Sequence, residues 1–176
     1  MTQLRSVSMK TPYQIQYEAF TAAGGIYDER HGKLYGDLAS ALIEDGSFSI
    51  VYEEVAHACY TPITVDAAPH LKCYVLAPIS VLPEHQRKGH ATRLMEEAEK
   101  QLDADVIFVM GDPKHYANRY NTPHKVLLPV KSEAPLECWF ARELTLGALD
   151  GIGESTSTLT GPFAEPIMWS HPSEQV

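Results

Sequence analysis

The stretch of residues 81–92, VLPEHQRKGHAT, decides the fold because it joins a predicted strand to a predicted helix. The preceding residues 72–81 (KCYVLAPISV) are rich in β-branched and aromatic side chains, and Pro83 follows where a strand is expected to stop. Beyond the stretch, apolar side chains recur with the spacing of one helical face: Ala91, Leu94, Met95, Ala98 and Leu102. The sequence therefore predicts a strand, a short loop and a helix that opens near Gly89.

The loop has the composition of an anion-binding loop. The first N–H groups of a helix are unpaired and its dipole is positive there, so a loop that enters a helix attracts anions. Gly89 lets the backbone approach a ligand closely. Arg87 and Lys88 add two positive charges in a chain whose formal net charge is −9. Neither GxxxxGK(S/T) nor GxGxxG occurs, so neither a P-loop NTPase nor a Rossmann dinucleotide site is supported.

Residues 86–91 have the form Gln-x-x-Gly-x-Ala, which resembles the pyrophosphate-binding motif of the GNAT superfamily of acyl-CoA N-acyltransferases, usually written Q/R-x-x-G-x-G/A. Four other segments resemble patterns of one bacterial branch, in the same order: residues 55–63 (VAHACYTPI), 77–83 (APISVLP), 106–113 (VIFVMGDP) and 138–151 (CWFARELTLGALDG). A lone short motif has a high false-positive rate, so the ordered succession carries the resemblance. It covers most of residues 50–151.

The resemblance implies an α/β (α+β) fold of the GNAT type, with a mixed, mostly antiparallel sheet flanked by helices and with splayed central strands. The periodicity agrees with this class: it predicts helices at 13–22, 29–44 and 89–102, and strands at 4–8, 48–52, 55–65, 72–82 and 105–110. Gly46 is a plausible cap of the second helix. Further strands and a short helix at 144–149 are predicted after Val126. The length favours one domain over residues 1–176, since two halves would each be small.

The resemblance also implies acetyl-CoA (coenzyme A) as co-substrate, with its pyrophosphate in the loop and its acyl-pantetheine arm between the splayed strands. The residues that it assigns to the coenzyme are Ile79, Ser80, Val81, Gln86, Arg87, Lys88, Gly89, His90 and Ala91. A backbone N–H near Val81 would polarise the thioester carbonyl, a contact that depends on geometry and not on a side chain. Ser80 is not expected to be a nucleophile, because no GxSxG elbow surrounds it.

Tyr116 is the predicted general acid. It follows the strand and the turn at the position where many GNAT enzymes place a tyrosine beside the coenzyme sulfur. A phenol with a pKa of about 10 can give its proton to a thiolate of comparable basicity. Tyr120 is the alternative, because the family pattern Y-Y-x-R-F-G-F is replaced by HYANRYNT over residues 115–122. The general base stays open among Glu54, His57, Asp112 and His115, each of which also has a purely structural interpretation.

The predicted function is direct N-acetyl transfer from acetyl-CoA to a primary amine of a small molecule or amino-group metabolite, by a sequential mechanism without an acyl-enzyme. The alternative is a non-catalytic acyl-CoA-binding sensor or interaction protein on the same fold, which needs the loop but no acid. A third interpretation is an unrelated phosphate-binding α/β module. No HExxH motif or clustered carboxylate pair occurs, so no metal is predicted.

The composition restricts the classes of partner that we expect and the cellular compartment. The acidic balance disfavours nucleic acid, whose binding needs a broad basic surface. The longest apolar runs are about strand length, and no apolar leader follows Arg5, so we expect a cytoplasmic protein that binds no membrane. The three cysteines, with no zinc-like spacing, are expected to be buried thiols in a reducing compartment. The sequence leaves open whether the chain forms a homodimer.

Overall fold

The computed structural model describes residues 9–132 and 134–176, so the predicted strand at 4–8 lies outside the described residues. Its helices are Pro12–Thr21 (α1), Glu29–Glu44 (α2), His90–Gln101 (α3) and Pro113–Tyr116 (α4). Its strands are Phe48–Tyr52 (β1), Ala56–Val65 (β2), Cys73–Val81 (β3), Val106–Met110 (β4), Trp139–Glu143 (β5) and Ser157–Leu159 (β6). Short 3₁₀ turns occupy Pro83–His85, Leu136–Cys138, Pro162–Ala164, Pro166–Trp169 and Pro172–Glu174.

The strands form one mixed sheet in the order β1-β2-β3-β4-β5, and β6 pairs with the far end of β2. The β3–β4 pair is parallel and every other strand pair is antiparallel. Helix α3 packs against one face of the sheet, while α2 and the segment after β5 contribute to the core on the other. The predicted fold class, a mostly antiparallel sheet flanked by helices, is confirmed.

The two central strands separate along their length. β3 and β4 pair from Cys73 to Val75 and from Val106 to Phe108. β3 then continues to Val81, six residues beyond its last pair with β4. The edge of β3 that faces β4 is therefore open over its second half, as the resemblance implied.

The bounds of α2 show how local signals fix an element. Asp28 caps its first turn by accepting hydrogen bonds from the backbone of Arg30 and His31. At the other end Gly46 adopts a left-handed φ of 90°, and its N–H bonds to the carbonyl of Ile43 at 3.1 Å. This is the arrangement that favours glycine after a helix, and the predicted helix 29–44 is confirmed with its cap.

The region after residue 126 differs from the prediction. The predicted helix at 144–149 is wrong: the segment makes consecutive turns, in which Ala148 N–H bonds to Thr145 and Asp150 N–H to Gly147. The carboxylate of Glu143 accepts from the N–H groups of Gly147 and Leu149, which closes the turns before a helix can propagate. The predicted strands there reduce to β5, β6 and one bridge at residue 126.

The cysteines are free, as expected. Cys59 and Cys73 are buried in the sheet, whereas Cys138 is only partly buried and lies at the end of the 3₁₀ turn that precedes β5. No helix among residues 9–132 and 134–176 is long and apolar enough to cross a membrane.

Candidate active site

The open edge of β3 carries unpaired backbone groups. Leu82 N–H donates to the carbonyl of Val55 at 2.8 Å, and in the same register Val81 lies opposite Ala56. Hydrogen-bonded and non-hydrogen-bonded pairs alternate in an antiparallel ladder, so Val81 does not bond to β2. Its backbone N–H, and that of Ile79 two residues earlier, point instead into the gap between β3 and β4. These N–H groups lie at the predicted position of the thioester contact.

The loop after β3 is shaped by two residues in the left-handed conformation. Arg87 has a φ of 59° and Gly89 a φ of 84°. Left-handed residues next to a helix start turn successive N–H groups toward one concave point that suits an anion. Gln86 stabilises the loop from within, because its side-chain amide donates to the carbonyl of Val81 at 3.1 Å.

Helix α3 begins directly after this loop with Gly89 as its N-cap. Within the described part of the chain no side chain caps this terminus. The N–H groups of His90, Ala91 and Thr92 therefore keep the free donors of a first helical turn. The predicted loop residues thus converge on one helix terminus, which is a suitable geometry for an anionic group.

The charged side chains of the loop lie on its outer surface. Arg87 and Lys88 are both exposed, and Lys88 Nζ donates to the carbonyl of Glu84 at 2.7 Å. His90 is mostly buried and its Nδ1 lies 3.4 Å from a carboxylate oxygen of Glu53, in the turn between β1 and β2. The two cations are thus available to a ligand, while His90 faces the neighbouring hairpin.

Ser80 lies apart from the other predicted coenzyme residues. Ile79 and Val81 pack toward α3, so the intervening Ser80 side chain points to the opposite face of the sheet. Its hydroxyl is buried and has no hydrogen-bond partner among the described residues. His57 lies opposite Ser80 in the β2–β3 register, but its ring nitrogens are engaged with Gln16 and Ser49, so among the described residues no imidazole base hydrogen-bonds to the Ser80 hydroxyl to activate it.

Tyr116 ends the single turn of α4 that follows β4. Its side chain is partly exposed, and burial of the ring region raises the pKa of the phenol to about 12. The ring lies against the backbone of Gly111: a Cβ atom at that glycine would be 2.3 Å from the Cε2 atom of Tyr116. Tyr120 contacts the same ring edge-on, with ring centroids 6.0 Å apart. The ring is thus confined on two sides.

Tyr120 has a different environment. It is fully buried, and its hydroxyl points to the sulfur of Met95 on α3 at 3.7 Å. Burial raises its pKa well above the ordinary value. A phenol enclosed in this way has no access to a ligand in the gap, so Tyr116 is the better placed of the two predicted acids.

The four candidate bases differ in exposure and in their hydrogen-bond partners. Glu54 is exposed in the β1–β2 turn, His115 is exposed on α4, and Asp112 caps α4 by accepting from Lys114 N–H at 2.9 Å. His57 is fully buried, with its Nδ1 2.8 Å from the amide nitrogen of Gln16 and its Nε2 bonded to Ser49. Burial lowers the pKa of His57 to about 4. His57 and Asp112 are thus engaged in structural hydrogen bonds, whereas Glu54 and His115 are exposed to solvent.

One functional position was missed by the sequence analysis. Gly111 belongs to the quoted segment 106–113, but its close contact with the Tyr116 ring was not foreseen. A glycine between a strand and an aromatic residue five positions later is the signal that could have indicated it. Among the described residues, no group of three His, Cys, Asp or Glu side chains could hold a metal ion.

Comparison with known proteins places this geometry in a family. A profile of the Acetyltransferase (GNAT) family matches residues 9–119. None of the curated proteins that were compared matches the chain.

Two of the solved structures with a similar fold contain coenzyme A or acetyl-CoA. One is the GNAT family N-acetyltransferase YhbS of Escherichia coli in complex with CoA, with 19% identity, 73% of this chain and 76% of that chain covered, and a TM-score of 0.62. The other is a GNAT family acetyltransferase of Brucella melitensis in complex with acetyl-CoA. It has 20% identity and a TM-score of 0.60, and the match covers 89% of this chain and 92% of that chain. Since the profile matches more than half of the sequence and the fold agrees with it, the chain belongs to the acetyltransferase (GNAT) family.

Proposed function

We propose that this protein transfers an acetyl group from acetyl-CoA directly to a primary amine of a small molecule. The observation that carries the proposal is the open edge of β3, which ends at an uncapped helix terminus and faces the segment that bears Tyr116. One side of the gap thus offers N–H donors and an anion site, and the other offers a proton donor. This combination suits acyl transfer from a thioester whose coenzyme carries phosphate groups.

The coenzyme would lie along the loop and the β3 edge. The first-turn N–H groups of α3 and the exposed Arg87 and Lys88 suit a pyrophosphate. The unpaired N–H groups of Ile79 and Val81 suit the pantetheine arm and the thioester carbonyl. The two similar structures contain CoA and acetyl-CoA, respectively, which supports the same ligand class for this chain.

In the proposed reaction the neutral amine nitrogen attacks the thioester carbon and the carbon–sulfur bond breaks. The nitrogen loses one N–H proton to water as the amide forms, the sulfur leaves with a proton from Tyr116, and Tyr116 is reprotonated from solvent. We assign this donation to Tyr116. Burial raises the pKa of its phenol to about 12, which keeps it protonated at neutral pH but makes transfer to a thiolate of lower pKa uphill, so the donation depends on close contact between the hydroxyl and the sulfur. Val81 stabilises the developing charge on the carbonyl oxygen through its N–H. An amine that arrives as an ammonium must first lose a proton, because the ammonium has no lone pair for the attack, and water can accept that proton.

The proposed mechanism contains no acyl-enzyme. The Ser80 hydroxyl points to the other face of the sheet, away from the N–H groups of Ile79 and Val81. Cys138 is partly exposed, but burial raises its pKa and disfavours the nucleophilic thiolate. A Cys138→Ser variant should therefore keep its turnover.

A groove beside the acid-bearing segment suits an amine acceptor. It has a volume of about 380 Å³ and lies between residues 117–124 and the start of β5. Phe140 contributes partly exposed aromatic surface, Tyr120 and Trp139 lie buried beneath it, and the exposed carboxylate of Glu137 gives the groove's rim a negative charge. An ammonium group is attracted both by the carboxylate and by aromatic faces. We propose this groove as the approach path of the acceptor.

The coenzyme part of the proposal is tested by thermal shift with acetyl-CoA, CoA and ATP at equal concentration. A ligand at 100 times its dissociation constant adds about 2.7 kcal/mol of stability and raises the melting temperature by several degrees. We expect a shift with acetyl-CoA and CoA but none with ATP. Equal shifts with all three would support a general phosphate-binding module instead.

The enzyme is distinguished from a non-catalytic acyl-CoA sensor by a Tyr116→Phe variant. An enzyme should lose turnover with an amine panel while it keeps its CoA affinity; a sensor has no turnover to lose. Tyr27→Phe is the matched control, because Tyr27 is also partly buried with a raised pKa but contacts α2 instead of the gap. Equal losses in both variants would contradict the role of Tyr116.

We further propose that residues 1–176 act as one domain in the cytoplasm and that the acceptor is a metabolite and not a nucleic acid. The net charge of −9 supports the last point, because it repels a polyphosphate backbone.

A further inference from the structure

A largely buried ion-pair cluster lies behind the acid-bearing segment. Glu99 of α3 is 11% exposed and accepts two hydrogen bonds from Arg119, one from Nε at 3.2 Å and one from Nη2 at 2.7 Å. Arg142 of β5 places its Nε 3.1 Å from the same carboxylate, as an ion pair without hydrogen-bond alignment. The Glu99 carboxylate therefore joins α3, the segment after α4 and the edge strand β5, and Glu96 of α3 adds a longer ion pair to Arg119 Nη1 at 3.6 Å.

The cluster is connected to Tyr116 through the main chain. Arg119 N–H donates to the carbonyl of Tyr116 at 3.0 Å, and Tyr120 N–H donates to the same carbonyl at 2.8 Å. The carbonyl of Arg119 in turn accepts from Arg142 Nη1 at 3.2 Å. Any displacement of Arg119 is thus transmitted directly to the residue that carries the proposed acid.

Helix α4 needs such an anchor because it is only four residues long. A single helical turn has little stability of its own, since nucleation fixes several residues for one hydrogen bond. The hydroxyl of Tyr120 adds a second attachment to α3, at Met95. Both attachments are to α3, the helix that begins directly after the proposed coenzyme loop. The acid and the loop are therefore fixed to one rigid element.

The chemistry of the cluster indicates that it orients neighbouring groups and adds little to the free energy of unfolding. Buried ion pairs add little net stability compared with apolar residues, because desolvation offsets their attraction. A two-bond contact between a guanidinium and a carboxylate does, however, fix orientation closely. We propose that Glu99, acting through Arg119, is a positioning residue that sets the place of the Tyr116 hydroxyl at the gap. This inference rests on the proposed function of Tyr116.

A Glu99→Gln variant tests the proposal, with Glu97→Gln as the matched control. Glu97 lies on the same helix, and among the described residues its carboxylate bonds to Lys100 and Gln101 and to neither arginine of the cluster. We expect Glu99→Gln to lower kcat about tenfold with an unchanged KM for acetyl-CoA, because a displaced acid slows the chemical step. Glu97→Gln should keep the kcat of the parent protein. An unchanged kcat for Glu99→Gln in a folded protein would overturn the proposal.

The same substitution in a Tyr116→Phe background separates positioning from general damage. If Glu99 acts through Tyr116, the double variant should be no slower than Tyr116→Phe alone. An additional tenfold loss in the double variant would overturn the positioning role while leaving the acid intact. If Tyr116→Phe has no effect on kcat, the proposed acid itself fails, and the two failures are thus distinguishable.

Arg119→Lys provides a second variant in case Glu99→Gln does not fold. Lysine keeps the charge but cannot make the two parallel bonds to Glu99. We expect it to lower kcat in the same direction and to leave the CoA dissociation constant unchanged. A kcat equal to that of the parent protein would show that the two-bond geometry has no role in positioning.

Discussion

Replacing Gly111 by alanine should slow turnover while leaving coenzyme binding intact. The new Cβ atom would lie 2.3 Å from Cε2 and 2.6 Å from Cδ2 of Tyr116. Ordinary van der Waals contact begins at 3.4 Å, so the ring has to move by about 1.1 Å. The ring is the part that moves, because the three atoms nearest to the new Cβ all belong to the Tyr116 side chain.

The expected magnitude follows from that displacement. A misplacement of about 1 Å in a catalytic group can cost about a hundredfold in rate, since the reacting atoms leave their aligned geometry. We therefore expect the kcat of Gly111→Ala to fall by about a hundredfold. The glycine has no left-handed φ, so alanine introduces no backbone strain beyond this contact.

The assay is steady-state release of free CoA with a saturating amine, together with the CoA dissociation constant by calorimetry. Gly153→Ala is the matched control, because a Cβ at Gly153 meets nothing within 4 Å and its φ is also not left-handed. A kcat within about twofold of the parent protein for Gly111→Ala would refute the reasoning that the position of the Tyr116 ring controls the rate. A loss of CoA affinity equal to the loss of kcat would refute it too.

Three other predictions concern pH and the acceptor. Because burial raises the pKa of Tyr116 to about 12, kcat should show no loss from its deprotonation up to about pH 10, and a loss there that Tyr116→Phe abolishes would contradict this. His57 has a pKa of about 4 in the folded protein against 6.5 ordinarily, so the unfolded chain takes up the proton first as the pH falls. Stability should be complete above about pH 6.5 and should fall by about 1.4 kcal/mol per pH unit down to about pH 4. The free energy of unfolding, measured by denaturant titration at each pH, should show this slope in the parent protein and lose it in His57→Asn. The same pH dependence in both proteins would contradict the prediction. Glu137→Gln should raise the KM for an amine several-fold with kcat unchanged, since it removes a charge at the groove rim; an unchanged KM would place the acceptor elsewhere.

The sequence was sufficient where local signals agree. Helix α2 and strand β1 were predicted with the bounds that the structure has. Asp28 and Gly46 cap the helix, and a turn over residues 53–55, in which Glu53 and Glu54 have left-handed φ, ends the strand. The loop at 86–91 was identified for the same reason: its glycine, its cations and the following helix are neighbours in sequence.

The sequence was insufficient where contacts are distant or where propensity is overridden. The contact between Glu99 and Arg119 joins residues that are 20 positions apart, and no local pattern indicates it. The segment 144–149 has helical composition, but the Glu143 carboxylate binds its N–H groups and holds it in turns. The choice between Tyr116 and Tyr120 likewise depends on burial, which two tyrosines four residues apart do not reveal by themselves.

The most direct test of the central claim is to incubate the protein with acetyl-CoA and a panel of small primary amines, and to follow free CoA, the mass of the amine and the mass of the protein. We predict that CoA is released only when an acceptor is present, that the amine gains one acetyl group and that the protein mass is unchanged at every time point. Release of CoA with acetylation of the protein itself, or no release with any amine despite tight coenzyme binding, would contradict direct transfer.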